Sequence, residues 1–119
     1  MPTNFFFYLA VSFILTHEMD AIRVKEWRMF IGLSSLKEEA AYTIFTALHV
    51  PLYLLLFLGI FGIASRTVIW ALDSFFVIHL FLHILFTRHP NNQFTSILSW
   101  VLIIGAAVSG GIDLWVNVL

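Results

Sequence analysis

The sequence predicts an all-α membrane protein in which four transmembrane helices form a bundle. Of its 119 residues, 61% are hydrophobic and 11% are charged, whereas a soluble domain carries roughly 45–50% apolar and about 25% charged residues. Each helical crossing of a bilayer takes about 20 residues. A chain of this length therefore has room for four crossings, and a water-soluble monomer is excluded.

Four apolar segments separated by short polar stretches account for almost the whole chain. The first apolar run, from Phe5 to Leu15, is too short to cross the bilayer, so its helix must continue through His17 and Asp20. Gly32 marks the break before the second helix. We predict one transmembrane domain over residues 1–119, with spans at about 5–24, 38–64, 67–87 and 94–116.

Local signals refine the second span. Ser35 followed three residues later by Glu38 is the pattern of a capping box and predicts that this helix begins near residue 36. Pro51 has no amide hydrogen to give to the carbonyl of Ala47, so we expect a kink beside His49.

Short turns join the remaining spans. Ser65 and Arg66 predict a tight turn that makes the second and third helices antiparallel neighbours, and Pro90 ends the third helix. In the fourth span, small residues recur four positions apart, a spacing that lets helices approach closely in lipid. These pairs are Gly105 with Ser109 and Ala106 with Gly110.

The basic residues predict the orientation. Cytoplasmic loops of membrane proteins carry an excess of Lys and Arg. The second loop holds only Arg66, whereas the first and third loops hold Arg23, Lys25, Arg28, Lys37 and Arg88. We therefore expect both termini outside and the first and third loops in the cytoplasm. The expected location is a bacterial inner membrane or a thylakoid-type membrane.

The overall charge and the absence of cysteine restrict the chemistry. A formal net charge of −1 gives no reason to expect a nucleic-acid partner. Without cysteine there is no disulfide, iron–sulfur cluster or thiolate zinc site, which leaves histidines and carboxylates as metal ligands.

Four histidines are expected at depth in the membrane. At about 1.5 Å per residue, His17 and His83 lie roughly 7 Å below the cytoplasmic edge, and His49 and His79 lie roughly 13 Å below it. His79 and His83 are four residues apart and so share a helix face. Ionisable side chains inside spans are costly, and their presence favours a functional explanation.

These residues predict a metal site for one or two ions of the zinc, iron or manganese kind. The other interpretation is that the histidines form hydrogen bonds to neighbouring helices or to the carbonyl freed by Pro51. Asp73 and Asp113 lie toward the opposite edge and are interpreted as polar groups near Arg66 or the lipid headgroups. The expected metal ligands are His17, Asp20, His49, His79 and His83, and the carboxylates expected to move protons are Glu18 and Asp20.

The segments THEMDAI, EWRMF, LHVP, HLFLH and RHPNNQF resemble an uncharacterised family of short four-helix bacterial integral membrane proteins. The resemblance covers nearly the whole chain. It implies the four-helix architecture and a set of motif positions, but no activity. These positions are His17, Glu18, Asp20, Glu26, Trp27, Arg28, His49, Pro51, His79, His83, His89 and Pro90.

Three functions are compatible with these features. The first is a metal-dependent enzyme acting on a lipid, isoprenoid or quinone-like substrate that enters from the membrane. The second is an accessory subunit of a respiratory or photosynthetic complex, in which His49 and His79 ligate haem or single histidines ligate chlorophyll. The third is a small transporter. Expected partners are membrane lipid and either other membrane subunits or further copies of the chain.

Overall fold

The computed structural model of the chain describes residues 4–61 and 66–118, and this part is all-helical, which confirms the predicted class. The α-helices are α1 (Phe5–Arg23), α2 (Glu38–Ala47), α3 (His49–Ile60), α4 (Arg66–Leu85) and α5 (Ile97–Val118). Single turns of 3-10 helix follow α1 at Glu26–Met29 and α4 at Phe86–Arg88. The predicted end of the second span at residue 64 and the turn residue Ser65 lie outside the described residues.

Four helical segments are long and apolar enough to cross a membrane, and α2 and α3 together make one of them. A turn at Leu48 separates these two helices, although Leu48 keeps a helical backbone conformation and its amide still donates to the carbonyl of Ile44 at 3.0 Å. Pro51 lies three residues later, so this turn falls where the sequence predicts a kink beside His49. The four segments are Phe5–Arg23, Glu38–Leu58, Arg66–Arg88 and Ile97–Asn117.

The predicted capping box at the start of the second span is wrong. Ser35 donates its hydroxyl to the carbonyl of Gly32 and lies outside the helix. Glu38 pairs with Arg28 at 2.8 Å and with Lys25 at 3.3 Å. Two cations from the preceding loop thus compete successfully for the carboxylate, and α2 begins without a side-chain cap.

The last helix begins at Ile97, later than the predicted residue 94. Ser96 explains the shift, because its hydroxyl accepts the amide hydrogen of Ser99 at 3.0 Å, as an N-cap residue does. Phe94 is left in the connection, and it is buried there.

Helices α1, α4 and α5 form the centre of the bundle, and small residues on α5 bring it close to both neighbours. A Cβ atom at Gly105 would lie 2.7 Å from the ring of Phe13 on α1, and one at Gly110 would lie 3.2 Å from the carbonyl oxygen of Asp73 on α4. Ala106, between them, is fully buried. The predicted close approach is confirmed.

The span formed by α2 and α3 lies at the periphery of this bundle. Only 17% of its most apolar stretch is buried, against 44% for α1 and for α5. Leu54 and Phe57 are among its exposed side chains. Such residues suit contact with lipid, because acyl chains are as apolar as the side chains themselves.

Replacing Gly110 by alanine is expected to destabilise the bundle by about 1–3 kcal/mol, the usual cost of overpacking. The added methyl group would press on the Asp73 backbone, which cannot move aside as a flexible side chain can. Gly111→Ala is the matched control, since its Cβ would lie 3.9 Å from Val77. Both changes bring the same gain in helix propensity. Thermal unfolding in detergent measures the difference, and equal melting temperatures would contradict the close contact.

Candidate metal centre

Four buried residues bring potential metal ligands together at one end of the bundle. His17 comes from α1, Glu26 from the 3-10 turn that follows it, and His79 and His83 from α4. One nitrogen or carboxylate oxygen from each residue lies within 4.8 Å of the other three. The group therefore joins three separate parts of the chain around a common centre.

The three imidazole rings are in mutual contact. The four-residue spacing on α4 places the ring centroids of His79 and His83 4.5 Å apart. The His17 ring lies 4.7 Å from that of His79 and 5.1 Å from that of His83. Phe94, in the connection before α5, packs on the His17 and His83 rings at 5.4 and 4.6 Å. This aromatic wall holds the rings in place.

Glu26 reaches the group because of an unusual backbone conformation. Lys25 has a φ of 54°, in the left-handed region that residues other than glycine rarely adopt. The chain turns there directly after α1, and Glu26 becomes buried. Strained backbone of this kind persists where the surrounding structure imposes it and is common at functional sites. The turn thus places a carboxylate against the histidines.

The distances between ligand atoms match those around a small metal ion. Ligands held about 2.0–2.1 Å from a tetrahedral zinc ion stand about 3.3 Å apart. The Nε2 atoms of His79 and His83 are 3.2 Å apart, and Oε1 of Glu26 lies 3.4 Å from Nε2 of His83. These two distances between ligand atoms therefore fit such an ion without rearrangement.

Hydrogen bonding leaves several of these atoms without a partner. Both ring nitrogens of His17 and Nδ1 of His79 are buried and have none within the described part of the chain. A buried polar atom without a partner costs about 1–3 kcal/mol. Imidazole nitrogens bind ions such as zinc and iron, so an ion at the centre of the group would give one of the two His17 nitrogens a partner.

Asp20, which the sequence assigns to the metal site, has other partners. Its Oδ2 accepts a hydrogen bond from the hydroxyl of Ser99 on α5, and its Oδ1 accepts one from Nε of Arg23 at 2.8 Å. The side chain is buried and ties α1 to the start of α5. It is not one of the four converging residues.

His49 and Glu18 form a separate pair beside the group. Nε2 of His49 contacts Oε2 of Glu18, and Nδ1 lies 2.7 Å from the carbonyl oxygen of Phe45. Both ring nitrogens of His49 therefore have protein partners, which does not favour the expected ligation of haem together with His79. The bond to Phe45 crosses the helix break at Leu48.

A cavity of about 220 Å³ adjoins the metal group. His79, His83 and Glu26 form part of its wall, and the pair of Glu18 and His49 forms another part. The remaining wall is apolar and comes from α2, α3, α4 and the 3-10 turns. These residues are Met29, Phe30, Phe45, Leu48, Leu52, Phe75, Leu82 and Phe86.

Glu26 is the member of this group that helix patterns do not find, because it lies in the loop and not on an apolar face. The sequence signal that contained it was the EWRMF motif, in which Glu26 precedes Trp27. Trp27 is buried and packs on Phe45 with ring centroids 5.6 Å apart. The aromatic residue anchors the turn, and the acidic one faces the histidines.

Comparison with known proteins places the chain in one family. No curated protein and no solved structure matches it. The model of a family of unknown function, DUF6713, matches residues 3–119. This match covers nearly the whole chain, and the protein therefore belongs to that family.

Proposed function

We propose that the protein is an integral membrane enzyme that holds one divalent ion through His17, Glu26, His79 and His83. The observation that carries the proposal is the convergence of these four buried residues, whose possible ligand atoms all lie within 4.8 Å of one another. Three nitrogens and one carboxylate oxygen suit zinc, iron or manganese. To polarise a substrate oxygen or activate a water molecule, the ion would need a coordination position beyond these four ligands, as an ion that accepts five or six ligands provides.

The substrate class follows from the cavity beside the ligands. Its wall is mainly apolar, with polar groups concentrated where the metal ligands and the Glu18–His49 pair lie. A pocket of this type suits a molecule with an apolar body and one small polar group. We therefore propose a lipid, isoprenoid or quinone-like substrate whose polar group meets the metal and which enters from the membrane.

The carboxylates assigned to proton transfer lie in different surroundings. Glu18 lines the cavity, where it contacts His49. Asp20 lies on the α5 side, hydrogen-bonded to Ser99. Glu18 is thus the better placed of the two to exchange a proton with a substrate, and Asp20 serves to position α1.

The proposed location is a bacterial inner membrane or a similar membrane, with both termini outside. The basic residues carry this orientation, because five of six lie in the first and third loops. The metal group, beside the first loop, then lies in the cytoplasmic half. The substrate would be drawn from that leaflet.

Elemental analysis of detergent-purified protein tests the metal assignment. We expect close to one zinc, iron or manganese ion per chain, removed by a chelator and restored on adding the same metal. An absorption spectrum of the same sample shows whether haem is present. A Soret band, which would assign the iron to haem, or a sample that binds none of the three ions after reconstitution, would contradict the proposal.

A further inference from the structure

Two buried carboxyl groups, unused by the proposed function, meet at some distance from the metal centre. Asp73 lies on α4 and Asp113 on α5, and their side chains are 0% and 1% exposed. Asp73 precedes His79 by six residues, a rise of about 9 Å along the helix. The pair is therefore separate from the metal ligands.

Only one of the two carboxyl oxygens of Asp113 has a hydrogen-bond donor among the described residues. Its Oδ1 accepts the amide hydrogen of Phe7 at 3.2 Å. This amide belongs to the first turn of α1, where no carbonyl within the helix is available. One oxygen of Asp113 thus caps a distant helix, but its Oδ2 has no partner in the described part of the chain.

Asp73 has no comparable structural explanation. Neither of its carboxyl oxygens has a hydrogen-bond donor among the described residues. Asp113 follows Gly110 by three residues on α5, so it lies on the helix face that approaches Asp73. A Cβ atom at Gly110 would lie 3.3 Å from Oδ1 of Asp73, so the glycine leaves room for this group. Two ionised carboxylates can only accept hydrogen bonds, and together they cannot satisfy each other.

A polar cavity adjoins Asp113 at the end of the bundle. Its volume is about 220 Å³, and Asp113 lies in its wall with Arg66, Asn4 and Asn117. Asp73 follows Arg66 by seven residues, which places it about 10 Å further along α4. The cavity therefore reaches Asp113 first, with Asp73 behind it.

We propose that Asp73 and Asp113 form a proton-binding site, in which one proton is shared between the two carboxyls and exchanged through this cavity. A shared proton turns one acceptor into a donor and so gives the unpaired oxygens a bond. A bound metal cation such as Ca²⁺ needs six to eight oxygen ligands, more than two carboxyls supply.

Among the described residues that line this cavity, Arg66 of α4 is the one charged group besides Asp113. The other polar groups near Asp113 are the Phe7 amide of α1, Asn4 just before α1 and Asn117 of α5. On the α3 side, Leu56 is a buried apolar residue of the core that also contains Leu72 and Phe76 of α4.

Infrared spectroscopy of the full chain in detergent tests the proposal. We expect a carbonyl band of a protonated, buried carboxyl that shifts in D₂O and is lost in both Asp73→Asn and Asp113→Asn. Glu39→Gln, which changes an exposed carboxyl on α2, is the matched control and keeps the band. Absence of the band in folded wild-type protein over the whole accessible pH range, or its persistence in both Asn variants, would overturn the proposal.

Stability provides a second readout that separates a proton from a metal cation. Release of the proton leaves two buried like charges, so we expect the wild-type melting temperature to fall as pH rises. In Asp73→Asn the amide donates in place of the proton, and the fall should vanish. If sodium at constant ionic strength removes the infrared band and stabilises wild-type protein alone, the site binds a metal cation and the proton assignment is wrong.

Discussion

Alanine at His79 or His83 is expected to abolish metal binding, with an affinity lowered roughly 100-fold or more, because even changes to residues that only support a ligand cost 10–100-fold. Each substitution removes one of four converging donors and leaves an open position at the centre of the group. The measurement is the metal content of purified protein together with a titration of the metal-free form. The comparison uses only variants that remain folded, that is, monodisperse in size-exclusion chromatography and helical by circular dichroism.

His89→Ala is the matched control for this experiment. His89 lies beyond α4 in the turn, where its Nδ1 accepts the amide hydrogen of Asn91 at 3.1 Å. It is not among the converging ligands, so its replacement should leave the metal content at the wild-type value. Full metal occupancy in both His79→Ala and His83→Ala would show that the proposed centre is wrong.

Removal of the metal is expected to lower the stability of the wild-type fold. An ion that binds the folded chain alone stabilises it by about 2.7 kcal/mol when its concentration is 100 times the Kd. The site joins α1, the following turn and α4, so the ion acts as a bridge between them. A melting curve recorded with chelator, and again after metal is restored, measures the effect.

Glu26→Gln isolates the contribution of the turn to that stabilisation. The amide has nearly the same shape as the carboxylate but lacks its charge, so metal should stabilise the variant less than the wild type. Ser35→Ala is a suitable control in the same loop, since its hydroxyl bonds only the carbonyl of Gly32. Equal metal-induced shifts in wild type and Glu26→Gln would exclude Glu26 as a ligand.

The four-helix architecture could be predicted from the sequence because long apolar runs permit few structures in lipid. Backbone groups must be paired within each segment there, so an apolar run of 20 residues becomes a helix. The break beside His49 and the close approach at Gly110 were likewise readable, since proline and glycine act through local geometry. The loop between α1 and α2 was less predictable, because ion pairs of Glu38 with Arg28 and Lys25 replaced the expected cap.

The metal group could be predicted only in part, since depth along a helix says nothing about direction around it. The depths calculated from the sequence placed His17 level with His83 and His49 level with His79. In the structure, His17, His79 and His83 lie together. His49 lies on the peripheral span and contacts Glu18 instead. Helix packing decides which residues at one depth meet, and a single sequence does not contain it.

The carboxyls near the other end illustrate the same limit. Asp113 does share a cavity with Arg66, as expected for a polar group near that edge. However, Asp73 is fully buried and faces the part of α5 that carries Gly110 and Asp113. The distance of Asp73 from the membrane edge suggested an ordinary polar contact. Because Gly110 has no side chain, α4 and α5 approach closely there and enclose the Asp73 carboxyl.

The distribution of the ligands over the chain has a mechanical consequence. All four come from α1, its following turn and α4, and none from α2 or α3. The same peripheral span nevertheless supplies Phe45, Leu48 and Leu52 to the cavity wall and is interrupted at Leu48. An outward swing of this span would open the cavity sideways to the acyl chains without moving any of the four converging residues. If these residues hold an ion, the span could admit a substrate while the ion keeps its protein ligands.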